Sequence, residues 1–212
     1  SETINQPTVY FKVTNTATVN NSITTSTIYS EQSNSNTWTA TYTINDTYDG
    51  DGDLYYTIAS YTDLADNSGD SFNQDSNGAT STVINVLTST PTLSAVSILS
   101  YNENTSLYAK SGDSVTVYFT GARTLNSATV TFLSDSESVT ATTSSYSTYD
   151  WEASYTVSGS DSDGDITFTI NFEDLAGNPG STSSTTDDTS VSIDNTAPTI
   201  NAITTDAFSW GT

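Results

Sequence analysis

The residues closest to chemistry sit in two short stretches: Asp49, Gly50, Asp51, Gly52 and Asp53, and later Asp161, Ser162, Asp163, Gly164 and Asp165. Alternate carboxylates on a tight glycine turn can converge hard oxygens on one cation. Ca²⁺ suits such a site, because it takes about six to eight oxygen ligands at about 2.3–2.6 Å. The stretches carry only part of an EF-hand loop, without the closing bidentate glutamate at its expected place. A structural reading competes with the metal: Asp-Gly pairs form turns between strands, with glycine supplying positive φ. In either case the aspartates repel one another unless a cation is bound or they point into water.

Both stretches lie inside a longer repeat, which must position them. Residues Trp38 to Gly69 read WTATYTINDTYDGDGDLYYTIASYTDLADNSG, and Trp151 to Gly180 read WEASYTVSGSDSDGDITFTINFEDLAGNPG. Each copy has an alternating run, an aspartate-rich turn, a second alternating run, and then Asp-Leu-Ala, Asp or Gly, and Asn. Trp151, Ala153, Tyr155 and Val157 recur at period two, as do Ile166, Phe168, Ile170 and Phe172, which predicts two strands with one buried face each. The repeat period of about 110 residues is that of a small independent domain, not of a solenoid turn.

Composition narrows the class. Hydrophobic residues make up 33% of the 212-residue chain, but they alternate, and 3 Trp, 13 Tyr and 7 Phe are available to fill thin cores. That aromatic content argues against disorder, and the abundance of β-branched Thr suits pleated surfaces, so the chain reads as all-β. The basic residues are Lys12, Lys110 and Arg123 against 25 acidic ones, a formal net charge of −22. Such a surface repels phosphate backbones and anionic membranes, so neither nucleic acid nor membrane insertion is expected. Cations are the natural small partners, although acidity also serves solubility alone. Cysteine and histidine are absent, which excludes disulfides, Cys-His and Ser-His-Asp catalysis, and the commonest transition-metal ligands. A secreted chain without disulfides points toward bacteria. No run approaches the roughly 18 apolar residues of a membrane span. The missing initiator Met suggests a processed product or an excised fragment.

In chain order, Thr8 to Val13 (TVYFKV) matches Thr116 to Gly121 (TVYFTG), so the first copy is expected to lack its opening strand. Pro198 to Ile203 (PTINAI) matches Pro91 to Val96 (PTLSAV) and opens a further copy. The expected organisation is residues 1–90, residues 91–197, and a surplus strand in 198–212. That strand belongs either to a following module or to a neighbouring chain, whose exposed sheet edge it would complete by head-to-tail donation. In the second copy, strands are expected at 93–100, 114–120, 127–133, 137–143, 150–157, 165–173 and 189–194, a two-sheet sandwich. Its inward face would carry Leu93, Val96, Ile98, Val115, Val117, Phe119, Val130, Phe132, Trp151, Tyr155, Val157, Ile166, Phe168, Ile170, Phe172, Val191 and Ile193. The first copy would use Val9, Phe11, Val19, Trp38, Tyr42, Ile44, Leu54, Tyr56, Ile58, Ile84 and Val86. Asn20 to Asn36 aligns poorly.

The run SDSDGDITFTINFEDLAGNPG followed by SVSIDNTAPTI resembles the tandem bacterial immunoglobulin-like repeats of large secreted or surface-anchored adhesins, including biofilm-associated and calcium-dependent types. The likeness covers residues 92–212 well and 1–91 more loosely, and the closing TTDAFSWGT resembles the opening of a neighbouring repeat. It implies two tandem immunoglobulin-like β-sandwich domains without catalysis, acting as spacer or binding module in an extracellular fibre. The implied partners are neighbouring modules of the same or an identical chain, with host, ice or polysaccharide surfaces engaged through other modules.

In such a sandwich the aspartate-rich loop lies at the C-terminal end, and the Asp-Leu-Ala-X-Asn loop at the N-terminal end. Asp49, Asp51 and Asp53 are then expected to face Asp174 and Asn178 across the linker Leu87 to Pro91, where calcium would stiffen the joint. Asp161, Asp163 and Asp165 would serve the next joint. The competing reading for Asp63, Asn67, Asp174 and Asn178 is local capping of the turn. Position 66/177, Asp in one copy and Gly in the other, fits a left-handed residue. Three classes follow: a structural or adhesive fibre repeat, a self-assembling filament, sheath or surface-layer subunit, and an enzyme using two carboxylates. The enzyme is disfavoured, because no acidic pair stands apart from the repeat.

Overall fold

The computed structural model describes residues 4–14, 30–31, 38–45, 49–73, 83–134, 137–141 and 143–203. The protein is all-β: every regular element among the described residues is a strand, and most strands pair antiparallel. The chain divides into two compact units, residues 1–90 with the loop Leu175–Asn178, and residues 91–174 with 179–212. Expectations for Val19, most of Asn20 to Asn36, and TTDAFSWGT at 204–212 lie outside the described residues.

The first unit contains β1 (Thr8–Thr14), β2 (Ser30–Glu31), β3 (Trp38–Thr39), β4 (Gly52–Ser60), β5 (Phe72–Asn73) and β6 (Ile84–Val86). β4 is central, pairing β1, β5 and β6, while β2 pairs β3 separately. Val86 and Pro7 are buried, but Val9, Phe11, Trp38, Tyr56 and Ile58 are only half-buried. Ile84 and Ile44, expected inside, are 59% and 37% exposed. Alternation marks a face as apolar; whether anything covers that face is a tertiary matter.

The second unit is a β-sandwich. Its strands are β7 (Leu93–Ser100), β8 (Tyr108–Ala109), β9 (Ser114–Gly121), β10 (Leu125–Ser134), β11 (Glu137–Ala141), β12 (Thr143–Ser145), β13 (Asp150–Thr156), β14 (Gly164–Asp165), β15 (Thr167–Asp174), β16 (Pro179–Thr182) and β17 (Ser192–Ile193). One sheet runs β11-β10-β15-β16, the other β12-β13-β9-β7, and a small sheet β14-β17-β8 closes one side. Val130, Phe132, Phe168 and Ile170 from the first sheet meet Val96, Val115, Val117 and Phe119 from the second in one buried cluster. Full burial of such side chains contributes about 1.5–3 kcal/mol each. Phe132 stacks on Tyr155 at 5.7 Å between centroids, and Phe119 on the partly buried Trp151 at 6.3 Å. Asp174 is fully buried and pairs with Arg123 at 3.2 Å.

Pairing corrects one expected correspondence. β1 pairs β4, the strand that follows the aspartate-rich loop, just as β10 pairs β15. The bridge Ile4–Asp63 repeats the pairing Leu125–Asp174. Phe11 stacks on Tyr42 at 5.4 Å as Phe132 does on Tyr155. INQPTVYFKV at the start of the chain therefore corresponds to LNSATVTFLS in β10, not to TVYFTG in β9. The TVYF tetrapeptide recurs because any half-buried strand favours that alternation. Among the described residues, the first unit has counterparts of β10, β12, β13 and β15.

Candidate functional site

The aspartate-rich turns follow the same plan in both units, each aspartate meeting the equivalent element. Tyr42 donates its hydroxyl to Asp49 Oδ1 at 2.5 Å, and Asn45 its backbone N–H to Oδ2 at 2.6 Å. Tyr155 likewise donates to Asp161 Oδ2, joined by the Ser158 backbone N–H at 2.7 Å. Tyr42 and Tyr155 are the positions that stack on Phe11 and Phe132, so the core ring orients the hydroxyl and the hydroxyl fixes the first aspartate. Asp49 is 4% exposed; such a carboxylate requires the donors it has. Burial, and then the bond to Asp161, push the Tyr155 hydroxyl up to about 12. Burial and then Asp49 raise Tyr42 in the same direction.

The middle aspartate reaches across to the end of the last strand. Asp51 accepts the backbone N–H groups of Thr88 at 2.7 Å and Ser89 at 2.9 Å, and the Ser89 hydroxyl at 2.5 Å. Asp163 accepts the Asn195 backbone N–H at 2.6 Å and the Thr196 hydroxyl at 2.5 Å. The Thr196 hydroxyl, and then the Asn195 N–H, hold the Asp163 carboxyl below its ordinary range. The third aspartate meets the last strand itself: Asn85 Nδ2 donates to Asp53 at 3.0 Å, and the Ser192 hydroxyl donates to Asp165. Asn195 adds a knot, donating Nδ2 to the carbonyls of Asp161 at 2.9 Å and Ser158 at 3.2 Å while its Oδ1 accepts the Ser111 N–H at 2.7 Å.

Each turn is thus a clasp. Three successive carboxylates bind a core tyrosine, the segment after the last strand, and the last strand. Charge-assisted bonds of this kind are short and are the strong ones. The carboxylates accept N–H and O–H donors here, and among the described residues no three acidic side chains come together as one group. Thr88, Ser89, Asn195 and Thr196 escaped the sequence reading, although TSTP and NTAP recur before the two prolines at the same offset.

Of the two Asp-Leu-Ala-X-Asn loops, the first is capped locally. Asp63 Oδ1 accepts the N–H groups of Ala65 at 2.8 Å and Asn67 at 2.9 Å, and Oδ2 accepts Asn67 Nδ2 at 2.7 Å. Asp66 and Gly177 hold φ of 65° and 86°, the left-handed conformation expected there. Asp174 is turned inward to Arg123, and Asn178 Nδ2 donates to the Leu87 carbonyl at 3.0 Å.

No protein-family model matches the chain, and neither a curated protein nor a solved structure does.

Proposed function

We propose that the chain is a non-enzymatic structural and adhesive stretch of an extracellular bacterial surface fibre, built from immunoglobulin-like modules. The observation that carries this reading is the clasp, made twice from equivalent residues and each time holding the segment that leads away from the last strand. A repeat that conserves its exit geometry in both copies within one chain suits a component whose task is to hold shape. Strand orders β7-β9-β13-β12 and β11-β10-β15-β16 support the immunoglobulin-like assignment, since they follow the two-sheet order of such domains. An acidic, hydroxyl-rich surface without histidine or cysteine suits an exposed fibre and offers poor material for catalysis. Antibodies raised against the chain should label fibres projecting from the surface of the source cells in immuno-electron microscopy. Label confined to the cytoplasm would overturn the reading.

A second reading, a self-assembling filament or surface-layer subunit, is favoured by one observation. Ile200 and Ile203, which repeat Leu93 and Val96 of β7, are 82% and 80% exposed. If strand donation is the function, the chain polymerises on concentration and a chain ending at Ala197 does not; sedimentation velocity distinguishes the two.

A further inference from the structure

The outer face of the sheet β12-β13-β9-β7 carries a patch that takes no part in the core or the clasps. Strand register puts Ser97, Tyr118, Glu152 and Ser144 in one row across the four strands. Side chains opposite one another in such a row share a face. Two further tyrosines join the row from strand ends. Tyr101, just past β7, shares a hydrogen bond at 2.5 Å between its hydroxyl and that of Tyr118. Tyr146, just past β12, donates its backbone N–H to the Asp150 carbonyl at 3.1 Å. Tyr101 and Tyr146 are 59% and 60% exposed, while Tyr118 and Glu152 are half-buried.

The charge on this face is all of one sign. Burial, then Asp150 and Glu152, raise the Tyr146 hydroxyl above its ordinary value. The Tyr101 hydroxyl, then burial, with Glu152 and Tyr146 adding to them, push Tyr118 up to about 12. The basic side chains of the second unit, Lys110 and Arg123, are engaged elsewhere: Arg123 pairs with Asp174, and Lys110 lies beside Asp113. The two carboxylates differ in what holds them. Asp150 accepts the hydroxyls of Thr120 and Ser147, each at 2.7 Å. Among the described residues Glu152 accepts one bond, from the Ser144 hydroxyl at 3.5 Å, the outer limit of such a contact. Glu152 is thus a carboxylate among tyrosines with most of its acceptor capacity unused.

We propose that this face is a docking site for an arginine side chain presented by a basic segment of a protein partner. The faces of aromatic rings carry negative potential and attract a cation. A guanidinium is planar, so it stacks on a ring while its fork of N–H donors reaches a carboxylate, the combination that Tyr118, Tyr146 and Glu152 offer. Lysine brings a point charge with firmer hydration and gains less from the rings. A neutral sugar could also use rings and a carboxylate, but it gains nothing from the single sign of the charge here. The formal charge of −22 adds long-range attraction for a basic partner, and the tyrosine row supplies the place where it settles. The inference does not rest on the adhesive reading, so its failure leaves that reading standing.

The test uses the full 212-residue chain, isotope-labelled for NMR, at an ionic strength of about 0.15 M, where attraction between exposed charges beyond about 8 Å is largely screened. The probe is a capped Gly-Arg-Gly-Arg-Gly peptide, with its lysine counterpart for comparison. The expected result is saturable shifts confined to the Ser97, Tyr118, Glu152 and Ser144 row and to Tyr101 and Tyr146. The arginine peptide should bind about two- to fivefold tighter than the lysine one. Glu152→Gln and Tyr146→Ala should each weaken it by about two- to fivefold. Glu173→Gln, which removes one charge from β15 in the opposite sheet, should leave the affinity unchanged. No saturable binding, equal binding of the two peptides, or equal losses from Glu152→Gln and Glu173→Gln overturns the proposal, leaving general charge attraction in its place. A neutral glucan hexamer that shifts the same amides and displaces the peptide overturns it too, by making the face a sugar platform.

Discussion

Asp163 Oδ1 accepts the backbone N–H of Asn195 at 2.6 Å, 32 residues away in sequence, and Asp51 does the same for Thr88 at 2.7 Å, 37 residues away. Both contacts run from a turn between two strands to the chain just past the last strand. Replacing the aspartate by alanine removes the acceptor and leaves its donors to water. Asp51→Ala should lower the stability of the first unit by about 1–3 kcal/mol. Asp163→Ala should lower the melting temperature of the second unit. Native-state hydrogen exchange should show the amides of Thr88 and Ser89, or of Asn195, opening sooner than the strands around them.

Calcium gives a separate test of the clasp. Since the carboxylates already accept protein donors, adding millimolar Ca²⁺ or removing it with a chelator should leave the calorimetric transition in place. A rise in melting temperature with calcium that Asp161→Asn and Asp163→Asn abolish would show instead that these oxygens exchange their hydrogen bonds for an ion.

Stability should fall at both extremes of pH. Bonds from Asn102 and the Lys110 N–H hold Asp113 below its ordinary range, and bonds from Ser147 and Thr120 do the same for Asp150. A lowered folded pKa means that the contribution is present above the unfolded value of about 3.9 and is lost as pH falls through the folded one. Urea midpoints should therefore hold from neutrality to about pH 4 and drop below it. At the alkaline end, burial and Asp161 place Tyr155 at about 12, and the Tyr101 hydroxyl, then burial, places Tyr118 at about 12. Their contribution is complete below the unfolded value of about 10 and is lost as pH rises toward 12. Absorbance at 295 nm should show the exposed tyrosines ionising first and these two late, together with unfolding.

Glycine is required at position 180 by space. A Cβ there would lie 2.4 Å from Phe172 Cε2 and 2.9 Å from the Pro91 carbonyl oxygen. At the corresponding Gly69 it would lie 2.1 Å from the Tyr61 ring. Gly180→Ala should cost about 1–3 kcal/mol by overpacking, because the carbonyl cannot move as a side chain can. Phe172→Leu should relieve part of that loss in the double variant, which chemical denaturation of the four proteins measures as a coupling.

The main strands of the second unit were legible because Val115, Val117 and Phe119, or Phe168, Ile170 and Phe172, alternate without interruption. β16 was not, since Pro179, Gly180, Ser181 and Thr182 contain no apolar alternation. The strand forms through backbone pairing with β15, and that requirement leaves no hydrophobic trace. The place of β1 was misread for a related reason: period two states that a strand has an inside, not which partner lies across from it. The Ile4–Asp63 bridge and the Phe11–Tyr42 stack supply that missing information. The aspartates were legible as a set and their partners were not, because Thr88, Ser89, Asn195 and Thr196 are ordinary turn residues until the last strand brings them to the carboxylates. Asp66 and Gly177 were legible, since the two types share tolerance of positive φ and little else.

β17 runs parallel to β8, with Ser192 donating to the Leu107 carbonyl at 3.0 Å and Asp194 to the Ala109 carbonyl at 2.9 Å. A pull on the outgoing chain directed along the axis of β17 loads these bonds in shear, so they yield together instead of unzipping singly. The Asp163 clasp lies immediately beyond them, on the same outgoing segment. Tension applied through that segment would reach this short strip of backbone before it reached the hydrophobic interior.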